Sequence, residues 1–219
     1  MSQFIEISQL VVRERQCRVR QLTDQLRDCF HADATVTTSW LKGSAAAFVS
    51  GGPARAGGSR EPIINRLGPP LVYESGRRAV VELPSTTIRW TPVNGVEAEL
   101  ASFMRLLYRV EQRAGVWRIS DLTAINEGDT LTPAVPATDL QVDPEAAAGF
   151  RHSYRFLAYT RSLDGETVSP DLYGIDRPTT SPLSTTRRSP GPPSSLPRRW
   201  PRRERERAGA HELGPLGRR

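Results

Sequence analysis

Hydrophobic and polar residues alternate most clearly between Ala101 and Glu127, ASFMRLLYRVEQRAGVWRISDLTAINE. Period-2 alternation of this kind predicts two half-buried strands, here joined by a turn at Gln112 to Gly115. Pairing Glu111 with Val116 puts Leu106, Tyr108, Val110, Trp117, Ile119 and Asp121 on one side. Arg109, Glu111, Arg118 and Ser120 then take the other, wet side. A sheet with one dry face needs a cover. The N-terminal pattern supplies one. Leu22, Leu26, Cys29 and Phe30 recur at helical spacing within a predicted helix from Ile5 to Phe30.

The remaining pattern fills in the layout. Ala34 to Trp40 is β-branched and alternating, hence a strand. Ser44 is placed to cap a short helix through Val49. Residues 51–60 form a Gly-rich loop, and Glu61 to Leu67 resumes the sheet. Leu71–Glu74 and Arg78–Leu83 read as strands joined at Ser75-Gly76, with Pro84 marking a bulge or an edge position. Asn94-Gly95 predicts a tight hairpin turn. Asp143-Pro144-Glu145 is a helix start, and that helix is expected to reach Leu163, before Gly165.

Composition changes after Pro178. The last 41 residues carry ten arginines and three glutamates, a net of +7, and leave the rest of the chain at −1. Rich in Pro, Ser and Arg and lacking an apolar period, 179–219 is expected to be disordered, as a native tail or an out-of-frame product. The domain is expected over 1–178. A near-neutral body with a basic tail is not the charge pattern of a nucleic-acid-binding domain, so weak, non-specific contact through the tail is all that is expected. Lys42 is the single lysine against 29 arginines, which fits a coding bias.

Other classes are also excluded. No apolar run is long enough to span a membrane, and MSQFIEISQLVVRERQ lacks the layout of a secretory signal, so a cytoplasmic location is expected. On one helix, Cys17 and Cys29 would lie roughly 18 Å apart, too far for a disulfide. His31, His152 and His211 are scattered, so neither a metal nor another cofactor is expected.

The segments FHADATVTTSWLKGSAAAFV, NRLGPPLV, RRAVVELP, LLYRVEQRAGVWRI and GFRHSYRFLAY, in that order, resemble a SnoaL-like domain of the nuclear transport factor 2-like superfamily. The resemblance covers about Ser8 to Pro178. It implies an α+β fold: a cone-shaped, curved antiparallel sheet with N-terminal helices over its concave face and, here, an additional C-terminal helix. It also implies a homodimer pairing through the outer sheet face. Its enzymes, which include scytalone dehydratase and polyketide cyclases, use an Asp, a His and one or two Tyr in the cone. Here Asn65 stands where relatives often carry the His, Val19 where an Asp is common and Asn126 where a Tyr often sits. The Arg-x-Asp pair of limonene-epoxide-hydrolase-type members is absent from the sequence.

Candidate chemistry follows from both sources. Asp121 on the dry face would have a raised pKa and could act as general acid or base, with Tyr108 holding a substrate carbonyl. A one-residue slip in register would instead expose Asp121. Asp33 and His31, at the helix-to-strand corner, are a second acid/base pair or else a turn-forming Asp and a surface His. Asn65, Asn126, Trp40 and His31 are the candidate ligand contacts. Trp90 and Trp117 read as core or pocket wall, and Arg105 as one half of a cross-strand ion pair. Two functions stay open. One is a cyclase, dehydratase or isomerase acting on an apolar cyclic or polyketide-like molecule. The other is a non-catalytic ligand-binding or dimerisation module.

Overall fold

The computed structural model describes residues 2–51 and 63–177. The element order is α1 (Gln3–Val19), α2 (Thr23–Asp28), β1 (Phe30–Thr37), β2 (Lys42–Ser44) and α3 (Ala45–Ser50). Then come β3 (Ile63–Leu67), β4 (Leu71–Ser75), β5 (Arg78–Val93), β6 (Val96–Arg113) and β7 (Val116–Pro133). Helix α4 (Pro144–Ala148), a 3₁₀ turn (His152–Tyr154) and α5 (Arg155–Leu163) close the described chain.

Among the described residues seven strands form one sheet in the order β2-β1-β7-β6-β5-β3, with β4 also on β5. All neighbours are antiparallel except β1 and β7. Two hairpins close through two-residue turns in which both residues have positive φ, Asn94-Gly95 (49° and 84°) and Ala114-Gly115 (50° and 80°). Such turns match the right-handed strand twist.

One face of the long strands is covered twice. Alternate residues of β6, from Ala98 and Leu100 through Leu106, Tyr108 and Val110, point to it, and all but the half-buried Met104 are buried. Near Leu106, Tyr108 and Val110 the cover is α1 to α3, through Ile7, Leu10, Val11, Leu26 and Phe48. Near Leu100 it is the C-terminal segment, through Tyr154, Leu157, Ala158 and Leu172. The fold is thus α+β, an open, curved sheet under N-terminal and C-terminal helices.

The predicted single N-terminal helix is two. At the end of α1, Leu22 N–H donates to Cys17 O at 3.0 Å and Gln21 N–H to Arg18 O at 3.4 Å. Gln21 has φ 57°. This is the Schellman ending, with glutamine where glycine is usual. The chain folds back, and both cysteines reach Gln25: Cys17 Sγ donates to its Oε1 at 3.8 Å and Cys29 Sγ to its carbonyl at 3.3 Å. The spacing expected for one straight helix does not apply. Both are free and buried thiols.

Two other expectations change, and of the two given for Pro84 the edge position holds. Strand β1 starts earlier and ends earlier than Ala34–Trp40. The predicted helix from Asp143 to Leu163 is interrupted at Gly149, although Asp143 caps its start through Glu145 N and Ala146 N. Strand β5 runs unbroken through Pro84. Its flank there is the gap between β3, which ends opposite Ser85, and β4, which begins opposite Glu82. A proline lacking N–H costs nothing in such a local edge. Most of the 51–60 loop and the tail 179–219 lie outside the described residues. All the described residues fall in one compact unit.

Candidate functional site

The register of β7 decides where the candidate acids point. Glu111 pairs with Arg118 and Val110 with Ile119, but Arg109 pairs with Asp121. Ser120 is the extra residue of a bulge. One added residue reverses the alternation. Leu122 and Ala124 therefore follow Trp117 and Ile119 onto the covered face, and Asp121 turns to the outer face. There it accepts from Thr35 Oγ1 at 2.6 Å, Thr123 Oγ1 at 3.1 Å and Arg109 Nη1 at 3.4 Å. The dry-face position read for Asp121 is corrected by this bulge. Arg105 does pair across strands, with Glu82 at 3.1 Å and Glu127 at 3.4 Å.

The other candidates scatter. Asp33 is exposed and accepts from Arg113 Nη1 at 2.7 Å. That bond holds its carboxyl below the usual carboxylate range. His31 is buried, not a surface residue, and its Nε2–H donates to Glu111 O at 3.0 Å. Trp40 stacks on Phe48 at 5.6 Å, with the Arg18 guanidinium 5.1 Å from its ring. Asn126 is buried, and its backbone and side-chain N–H groups both donate to Tyr173 O at 2.9 Å.

Tyr108 is fully buried on the covered face, and its hydroxyl donates to Glu14 Oε2 at 2.9 Å. Glu14 is fully buried too, and forms a two-point ion pair with the neighbouring Arg15. Burial, then the Glu14 charge, raise the Tyr108 pKa well above the usual phenol value. A phenol held protonated against an already paired carboxylate positions groups and does not abstract protons. Glu14 sits in the apolar stripe Ile7, Leu10, Val11, Cys17 of α1. A charge inside that stripe is the signal by which sequence reasoning could have found it.

Between the two apolar covers runs a polar row. Asn65 lies opposite Thr87, Thr87 opposite Ser102 and Ser102 opposite Asp129. These four residues lie on four neighbouring strands and share the covered face with Leu100 and Leu106. The next row is Leu67, Ser85, Met104 and Asn126. Thr87 Oγ1 donates to Asn65 Oδ1 at 3.2 Å. Ser85 Oγ and, on α1, Ser8 Oγ are buried with no hydrogen-bond partner among the described residues. Leu157 N–H, in the first turn of α5, donates to Asp129 Oδ2 at 2.7 Å. Burial nonetheless raises the Asp129 pKa, against the pull of the Leu157 and Phe156 amides. Sequence reading missed Asp129 because the Glu127 bulge, between the Met104–Asn126 and Phe103–Gly128 pairs, sets its side. Among the described residues, no three His, Cys, Asp or Glu side chains gather as a metal site.

Residues 5–123, more than half the chain, match the family model described as SnoaL-like domain. The chain belongs to the SnoaL-like family. The sheet and helices of this SnoaL-like chain are similar to several solved structures. An NTF2-like protein with a cystatin-like fold from Novosphingobium aromaticivorans is 21% identical, covering 54% of this chain and 78% of that one, at a TM-score of 0.43. A hexachlorocyclohexane dehydrochlorinase from Novosphingobium barchaimii is 18% identical, covering 64% and 94%, at 0.48. A putative scytalone dehydratase from Novosphingobium aromaticivorans is 12% identical, covering 64% and 95%, at 0.47. No curated protein matches the chain. Among the described residues no helix is long and apolar enough to cross a membrane.

Proposed function

We propose that this SnoaL-like protein binds a small, mainly apolar molecule against the covered face of its sheet. The in-register row Asn65, Thr87, Ser102 and Asp129 carries the reading. It offers amide, hydroxyl and carboxyl groups between two apolar surfaces, the composition of a small-molecule site. The buried hydroxyls of Ser8 and Ser85, without a partner among the described residues, support it, because buried polar groups are ordinarily satisfied by protein, water or ligand. Binding is favoured over acid/base turnover by Asp33, Asp121 and Tyr108. Each of them is committed to a protein partner, and Asp121 lies on the opposite sheet face.

Ligand-observed NMR with coumarin and 2-naphthol tests this. Saturable binding is expected, with Asn65→Leu and Ser102→Val each weakening it about tenfold through one lost hydrogen bond. Affinity unchanged in both variants would remove the reading. Acid/base turnover is the second reading, favoured by the raised pKa of Asp129. It requires conversion of a bound cyclic substrate that Asp129→Asn abolishes while binding persists.

A further inference from the structure

A cavity of about 550 Å³ opens where the end of β7 meets α4 and α5. Its walls are apolar: Leu131 from β7, Leu140 and Val142 from the connection to α4, Ala147 from α4 and Phe156 from α5. The lining includes one charged side chain, Arg155, the first residue of α5. None of the Asn65, Thr87, Ser102 and Asp129 row contributes to it, so the two sites are separate.

Arg155 is half-buried, and its Nε is buried with no hydrogen-bond partner among the described residues. The nearby carboxylate, Asp129, feels its charge without a hydrogen bond to it: Oδ2 accepts from Leu157 N–H, and Oδ1 has no partner among the described residues. A guanidinium N–H withdrawn from water without an acceptor is costly. The rest of this half-buried guanidinium lines the cavity, where an oxyanion can meet it and a planar carboxylate can take two parallel bonds. The volume is that of a small-molecule site. Apolar walls with one cation among the described lining residues call for an apolar body carrying one negative charge.

We propose that this cavity binds an amphipathic monocarboxylate. Its head meets the Arg155 guanidinium and its alkyl or aryl body lies on Leu131, Leu140, Val142 and Phe156. The anion supplies a hydrogen-bond acceptor that the Arg155 guanidinium lacks among the described residues, and the hydrocarbon covers apolar wall open to water.

Calorimetric titration of the full chain with octanoate and with octanamide tests this, since the two probes share a tail and differ in charge. Octanoate is expected to bind about tenfold tighter or more. Arg155→Gln should erase that preference and leave octanamide affinity unchanged. Ala148→Phe, which fills the cavity from α4, should weaken both probes and covers the case in which the arginine variant does not fold. Ser102→Val should leave octanoate binding intact, which separates this site from the polar row. Absence of octanoate binding at millimolar concentration, or the same preference in Arg155→Gln, would overturn the proposal.

Discussion

Tyr108 and Glu14, 94 residues apart, meet by a 2.9 Å hydrogen bond inside the apolar core, and the bond ties α1 to the middle of β6. Arg15 completes the cluster and reaches over the Phe48 ring at 5.6 Å. The cluster is balanced in charge, so its energetics depend on keeping all members or removing all of them.

Glu14→Ala should destabilise by about 3–5 kcal/mol, because it strands a buried guanidinium. Tyr108→Phe should cost about 1–3 kcal/mol, since Glu14 keeps Arg15. Replacing Glu14, Arg15 and Tyr108 together by Leu, Met and Phe should cost less than Glu14→Ala alone. Urea unfolding of the three variants reads this directly. A triple variant less stable than Glu14→Ala would show that the cluster is net stabilising.

Alkaline stability should report on Cys29. Burial, then the nearby Glu14 charge, push its thiol from 9.0 up to about 12. A pKa raised by folding gives stability that is complete below pH 9 and is lost as pH rises toward 12. Cys29→Ala should therefore flatten the decline in melting temperature between pH 9 and 11, measured under reducing conditions. Equal slopes in wild type and variant would mean that the thiolate is tolerated in place.

Legibility differed by element. The alternation along β6 and the Asn94-Gly95 turn were readable, because both are local. Ser44 and Asp143 announced their helices in the same way, each capping backbone amides within three residues. What failed depended on single residues without a sequence mark. The bulge at Ser120 moved Asp121 to the outer face, and nothing in VWRISDLTA signals an extra residue there. Gln21 ended α1 with a positive φ that the sequence would assign to glycine. The row from Asn65 to Asp129 was hidden for a third reason. Its members come from four strands, and their alignment exists only once all three pairings are fixed.

Gln21→Gly follows from that helix ending. A side chain at φ 57° carries a steric cost that glycine lacks, and the gain exceeds glycine's added freedom in the unfolded chain. The substitution should raise stability by about 0.5–1 kcal/mol, read as a higher urea midpoint at unchanged slope. A lower midpoint would show that the glutamine side chain contributes contacts worth more than the strain.

The C-terminal segment 172–177, which runs as a strap past β7, should be sensitive to acid through Asp176. Its carboxylate accepts from Arg151, with Nε at 3.1 Å, and from Ser153 Oγ at 2.6 Å. Arg151 also donates to Leu172 O at 2.7 Å. The strap so held bonds to β7 in the row next to the polar one, with Ile175 N–H on Asn126 O at 3.1 Å. Gly174 makes room for it: a Cβ there would stand 2.7 Å from both Asp176 Oδ1 and Ser153 Oγ. The Arg151 bond, aided by Ser153 and opposed by partial burial, lowers the Asp176 pKa from 3.8 to about 2. A lowered pKa gives stability present above pH 3.8 and lost as pH falls toward 2. After solvent screening the clasp is worth about 1 kcal/mol. Asp176→Asn should therefore lower the melting temperature at pH 7 by about 2–4 °C. It should also weaken the acid dependence between pH 4 and 2. Because the strap lies against Asn126, the variant should speed amide exchange at Asn126 and Ile175. Unchanged exchange there, with the temperature lowered, would mean that Asp176 stabilises the turn around Ser153 and not the strap.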